Sequence, residues 1–90
     1  MDLRELYNII DDRKRNPQEG SYTNKLLNHE EKAYRKLNEE VYELIYACLK
    51  QDKENIIYEA ADVLYHLLVV LAKNDVSIDE VFKELESRKK

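Results

Sequence analysis

The sequence has no tryptophan, and only one glycine, one proline and one cysteine among its 90 residues. Each scarcity excludes something. An all-β domain needs a turn signal about every 8–12 residues, and a chain so poor in glycine and proline does not supply them. The lone Cys48 cannot close an intrachain disulfide, which fits a reducing cytoplasm. Long apolar runs are missing too. The longest, Leu67 to Ala72, is far short of the ~20 residues of a membrane span. The start, Met1-Asp2-Leu3-Arg4-Glu5, is too polar for a signal peptide. A basic surplus is also absent. With 19 Asp and Glu against 15 Lys and Arg the net charge is −4, which argues against a nucleic-acid face.

What remains is 43% hydrophobic and 38% charged, a composition with little room for loops. Leu, Ile, Val and Tyr are too plentiful for disorder. The reading is one all-α domain spanning residues 1–90. A chain of this length buries somewhat over roughly 60% of its extended surface. One core is then marginal, and pairing with a second copy is expected.

Pro17 and Gly20 both fall in Asn16-Pro17-Gln18-Glu19-Gly20-Ser21-Tyr22-Thr23, the clearest loop. Before it, Leu3, Leu6, Tyr7 and Ile10 follow helical spacing behind an Asp2/Glu5 capping box. Thr23 to Asn28 suits a short helical turn. A second helix is expected from near Asn28, with Glu31 as capping partner. Its apolar stripe is Tyr34, Leu37, Val41, Leu44 and Cys48, which places Cys48 in the core. Asp52 can cap a third helix from about Lys53 to Lys73, apolar around much of its second half and so central in a bundle. Ser77-Ile78-Asp79-Glu80 caps a short last helix with Val81, Phe82 and Leu85 inward. Arg88, Lys89 and Lys90 suit its C-terminal end. The chain thus reads as four helices around a central antiparallel hairpin.

Two acidic groups stand on that hairpin: Glu39-Glu40-Val41-Tyr42-Glu43 and Glu59-Ala60-Ala61-Asp62. Glu40 and Glu43 share a helical face, as do Glu59 and Asp62. The short Lys50-Gln51-Asp52 connection makes the two helices antiparallel neighbours and brings the pairs level. Four carboxylates would converge across the groove. Paired Glu on a charged helix is most often a solvated face. Glu59 and Asp62, however, lie in an otherwise apolar segment, where acids need a partner. Hard oxygen ligands without thiolate suit Mg²⁺, with Mn²⁺ as an alternative. The chemistry implied is metal-assisted hydrolysis of a phosphoanhydride.

Glu39-Glu40-x-x-Glu43 followed by Glu59-x-x-Asp62 resembles the signature of the MazG-like all-α nucleotide pyrophosphohydrolases. Within that superfamily, Gly20-Ser21-Tyr22-Thr23 with Lys25-Leu26-Leu27, Lys36 before the Glu pair, and Tyr58 to Leu68 are similar to the phosphoribosyl-ATP pyrophosphohydrolase family. The resemblance covers nearly the whole chain. It implies a MazG-like bundle completed by dimerisation. It also implies hydrolysis of phosphoribosyl-ATP to phosphoribosyl-AMP and pyrophosphate with Mg²⁺, the second step of histidine biosynthesis. Carried over by position, Glu40, Glu43, Glu59 and Asp62 would be metal ligands. Glu39 would be an accessory catalytic carboxylate beside Glu40, orienting a metal-bound water or taking its proton. Asn38, Asn28-His29 and Tyr42 depart from the family's pattern, and none is a ligand.

Lys36 is four residues before Glu40, placed either for an ion pair or for a phosphate contact. Lys25, Ser21 and Tyr22 are further substrate-binding candidates, although the serine and tyrosine could simply form the turn. His66 extends the acidic face and reads as a satisfied structural histidine more readily than as a substrate contact. No Glu-x-x-His pair supports a di-iron bundle. With no Cys/His-rich segment, a stand-alone cytoplasmic enzyme is expected. It would bind a small nucleotide and form a homodimer, without nucleic-acid or membrane partners. Two other readings use the same residues. One is a MazG-like house-cleaning nucleoside triphosphate pyrophosphohydrolase, against which the Ser-Tyr-Thr loop argues. The other is a non-catalytic helical dimerisation module.

Overall fold

The computed structural model describes residues 1–89, and Lys90 lies outside the described residues. Five helices follow one another: α1 (Leu3–Arg15), α2 (Tyr22–Asn28), α3 (Glu30–Leu49), α4 (Lys53–Lys73) and α5 (Ile78–Ser87). All regular elements among the described residues are helical, as the composition requires. Four begin at capping side chains, with Asp2, Asp52 and Ser77 as expected and Ser21 in addition. Asp2 accepts from the Glu5 amide, Ser21 from Asn24, Asp52 from Asn55 and Ser77 from Glu80, each a contribution of about 1 kcal/mol.

The helix count exceeds the expected four because the turn after the loop is a full seven-residue helix. Leu26 is completely buried, and that anchor keeps α2 wound through Asn28. Asn28 therefore ends α2 instead of capping α3. His29, in extended conformation, separates the two helices alone and caps α3 without a side-chain hydrogen bond.

With one glycine in the chain, two helix ends recruit other residues to the left-handed region. Gln51 (φ 58°) follows α3 and Asp75 (φ 57°) follows α4. Both ends close in the same way. The Asp52 amide reaches the Ala47 carbonyl at 3.3 Å and the Val76 amide reaches Leu71 at 3.0 Å, the six-to-one bond of a Schellman cap.

The core lies around the second half of α4, which touches α1, α2 and α3. Ile10, Leu26, Leu68 and Val69 are fully buried, with Tyr7, Ala33, Ala72 and Ile78 around them. Long basic side chains tie helix ends together. Lys14 Nζ donates to the Ala72 carbonyl at 2.9 Å and pairs with Asp75. Lys73 Nζ donates to the Leu27 carbonyl at 2.9 Å. Arg4 holds Asp79 at 2.7 Å, joining α1 to α5, and Arg88 pairs with Glu84 at 2.9 Å.

The first half of α4 packs chiefly on α3, and this end of the hairpin projects from the core. The radius of gyration is 14.2 Å, against about 12 Å for a compact chain of this length. Val41, Tyr42, Ile45, Tyr46 and Leu49 of α3 and Ile57, Tyr58, Leu64 and Leu67 of α4 are exposed. Cys48 shares this fate. Expected in the core, it is exposed, because the bundle does not extend to the hairpin tip. Among the described residues α4 is the one helix long and apolar enough, by length and composition, to cross a membrane. The central helix of a bundle meets the same description, and this one carries Glu59 and Asp62 at mid-length.

Candidate active site

The three-residue connection after α3 folds α4 back along it and brings Glu40 opposite Glu59 and Asp62. One carboxylate oxygen from each lies within 4.8 Å of the others. All three residues are partly buried, and the Glu40 side chain is only 13% exposed. Glu43, one turn towards the hairpin tip, is exposed. It shares with Glu59, Tyr46, Ala47 and Asn55 the wall of a small cavity of about 100 Å³.

Crowding these acids disfavours their charges. Burial pushes the Glu59 carboxyl above its ordinary range, and Glu40 adds to this by its charge and by a hydrogen bond, with Asp62 and Glu43 contributing further. Burial and then Glu40 also raise Asp62, against the opposing charge of Lys36. Lys36 Nζ stands 3.2 Å from Glu39 Oε2 and 3.6 Å from Glu40 Oε1. The hydrogen bond to Glu39 is the main reason its own pKa is raised. Arg35 approaches Glu39 from the other side at 3.9 Å.

One oxygen of the group, Glu59 Oε2, is buried without a hydrogen-bond partner. Such an oxygen is costly to leave bare. A hard divalent cation would satisfy it, and a donor set of carboxylate oxygens with no thiolate fits Mg²⁺ or Mn²⁺.

Beside the acids runs an aromatic rim. The Tyr22 hydroxyl lies 3.2 Å from His66 Nε2, and His66 Nδ1 lies 2.7 Å from the Asp62 carbonyl. Thr23 and Tyr65 share a hydrogen bond between their hydroxyls. The Tyr22 and Tyr65 rings stack with centroids 6.3 Å apart. Lys32 Nζ sits 5.9 Å from the Tyr22 ring centre, within cation–π range.

The family model for phosphoribosyl-ATP pyrophosphohydrolase matches residues 3–89. The chain belongs to that family. Among similar proteins, the histidine biosynthesis bifunctional protein HisIE of Pyrococcus furiosus is 52% identical over 89 residues, which cover 98% of this chain and 41% of that protein. The chain thus spans about two fifths of the bifunctional relative. A phosphoribosyl-ATP pyrophosphatase of Methanococcoides burtonii is 43% identical, over 97% of this chain and 91% of its own length. One from Clostridium acetobutylicum is 45% identical, over 96% and 79%.

For this family member the structure distributes the expected residues unevenly. Glu40, Glu59 and Asp62 converge, with Glu43 adjoining Glu59. Glu39 is turned towards Lys36 and Arg35. Tyr22 joins the rim. The Ser21 hydroxyl accepts the Asn24 amide at 3.1 Å, so it caps α2. Lys25 is exposed on α2 and belongs to neither the acidic group nor the rim. Two residues escaped the sequence reading. Lys32 meets Tyr22 only through tertiary packing, so no local spacing announces it. Asn24 is buried, accepts from the Gln18 amide and donates to the Arg13 carbonyl, both at 2.8 Å. It pins the loop that carries Ser21 and Tyr22. No local signal marks it, because its neighbours Thr23 and Lys25 are polar too, and only the docking of α2 through Leu26 buries it.

Proposed function

We propose that this chain hydrolyses phosphoribosyl-ATP to phosphoribosyl-AMP and pyrophosphate, the second step of histidine biosynthesis, as one domain spanning residues 1–90. The observation that carries the reading is the group of three partly buried carboxylates with an unpartnered oxygen at Glu59, in a chain of this family. Glu40, Glu59 and Asp62, with Glu43 beside them, would hold Mg²⁺ or Mn²⁺. When bound, the cation would screen the phosphate charge and acidify a water.

The chain's own residues divide the remaining work. Lys36, held between Glu39 and Glu40, offers an ammonium to phosphate oxygens at the edge of the acidic group. Glu39, half-exposed and ion-paired with Lys36 and Arg35, is the carboxylate assigned to take the proton of water. Water adds its oxygen to one of the two phosphorus atoms of the α–β anhydride and gives its proton to Glu39. The anhydride bond breaks and pyrophosphate leaves. Tyr22, Thr23 and the Ser21 turn border the same groove and meet the rest of the nucleotide. Lys25 would take part only through the outer phosphates.

A homodimer in the cytoplasm completes the reading. The accessible surface is 6734 Å², about 1,200 Å² more than a compact 10.8 kDa monomer exposes. That excess is larger than the ~800 Å² each partner buries in a standard interface. It coincides with the apolar residues of the projecting hairpin. An open cavity of about 620 Å³, lined by Leu3, Leu6, Ala61, Leu64 and Phe82, adjoins them.

The test is pyrophosphate release from phosphoribosyl-ATP with Mg²⁺. Turnover is expected, and Asp62→Asn and Glu40→Gln should abolish it without loss of fold. No release, together with good turnover of a simple nucleoside triphosphate, would overturn the assignment in favour of a house-cleaning hydrolase. Inactivity on both, with both substitutions stabilising and no thermal shift from Mg²⁺, would leave a dimerisation module.

A further inference from the structure

We infer that His66 is a positioning residue that fixes Tyr22 as a hydrogen-bond acceptor towards the nucleoside part of the substrate, in register with the carboxylates. The inference rests on the reaction proposed for this site and assigns a task within it.

His66 is 5% exposed and sits one turn after Asp62 on α4. Its Nδ1 lies 2.7 Å from the Asp62 backbone carbonyl. A carbonyl only accepts, so Nδ1 carries the hydrogen. In the neutral ring Nε2 is then bare and must accept. Its neighbour is the Tyr22 hydroxyl at 3.2 Å, so Tyr22 donates to His66. The tyrosine's single hydrogen is thereby committed, and what its oxygen still offers is lone pairs. Tyr22 is 42% exposed, so those lone pairs are open to a ligand. Lone pairs repel phosphate oxygens and accept from hydroxyl or amino groups. The division of labour follows: Lys36 meets phosphate, and Tyr22 meets a ribose hydroxyl or a base amino group.

A second tie makes the placement rigid. Thr23 bonds to Tyr65, so consecutive residues of α2 are held by consecutive residues of α4. Distance from Tyr22 to Asp62 is therefore set by one buried imidazole and its hydrogen bonds, the link from Tyr22 to His66 spanning 44 residues of sequence.

Tyr22→Phe keeps the stacked ring and removes the hydroxyl, so it is the first variant. Its KM for phosphoribosyl-ATP should rise roughly tenfold, the worth of one lost hydrogen bond, with a smaller change in kcat. Inhibition by inorganic pyrophosphate, a ligand with phosphates alone, should not change. His66→Asn, whose amide can replace Nδ1 but cannot reach Tyr22, should behave alike. His66→Gln, whose amide reaches the place of Nε2, should restore KM. A merely structural histidine would instead lower melting temperature in both variants and leave KM alone. Unchanged KM in Tyr22→Phe, proportional weakening of pyrophosphate inhibition, or no rescue by glutamine would each overturn the inference. If the wild type releases no pyrophosphate, the functional reading falls by itself. Imidazole ¹⁵N shifts then decide the hydrogen-bond assignment separately: a protonated Nδ1 and a bare Nε2 that responds to Tyr22→Phe support it, and the opposite tautomer refutes it.

Discussion

Replacing Ile57 by alanine distinguishes a lone chain from a paired one. Ile57 is on the α4 face of the projecting hairpin and is 62% exposed in the single chain. If that state persists in solution, the substitution removes little buried surface, and the cost is about 1 kcal/mol or less. Alanine also exceeds isoleucine in helix propensity by a few tenths of a kcal/mol, so the net change approaches zero. If a second copy covers the hairpin, Ile57 becomes a core residue, and truncation costs about 2–5 kcal/mol per chain. Urea unfolding at low and high protein concentration separates the cases, because only a dimer gains stability by mass action. Sedimentation of the same samples gives the mass directly. We expect a large loss, a concentration-dependent midpoint, and a shift of the variant towards monomer. A near-neutral variant whose midpoint ignores concentration would refute the reasoning that the excess surface is an interface.

Glu59 and Asp62 have raised pKa values in the fold, so the folded protein binds more protons than the unfolded chain, and stability falls as pH rises through those values. The metal-free protein should accordingly melt higher as pH is lowered from neutral towards the ordinary carboxylate range. Glu59→Gln should flatten that trend, and the gain from Mg²⁺ should grow with pH; a melting temperature that falls on the same acidification would contradict this. Gln51→Gly relieves a left-handed non-glycine residue and should raise stability by about 0.5–1 kcal/mol in denaturant titrations, with a loss contradicting the cap geometry. Leu26→Ala empties a fully buried site under α2 and should cost about 2–5 kcal/mol. Because Leu26 seats the helix that carries Tyr22, KM should worsen before kcat.

Much of the hairpin was legible in the sequence because its signals are local. Asp52 capped α4 as its spacing announced, and Lys53–Lys73 was bounded by a cap and an asparagine. Glu40, Glu59 and Asp62 could be brought level by counting residues from one short connection. Other features depend on packing that no spacing encodes. Cys48 obeyed the stripe of α3, but whether a stripe is covered depends on how far the rest of the bundle extends. Asn28 looked like a cap until Leu26 drew α2 past it. Ser21 was legible as a loop residue, yet only the Asn24 amide shows that its hydroxyl is engaged as a cap. The direction of the Tyr22 hydrogen bond emerges only once His66 is seen to be fastened to its own helix.

The site joins parts of very different sequence separation, and this bears on the order in which it forms. The carboxylates come from residues 40 to 62, one helical hairpin with a three-residue connection. Local contacts of this kind form early and close small loops. The contact between Tyr22 and His66 spans 44 residues and must wait for α2 to dock. A nascent chain can thus assemble the acidic half of its site before the nucleotide-facing half exists. Divalent cations present during folding would meet a partly formed hairpin and relieve its charge repulsion before the rest of the bundle closes.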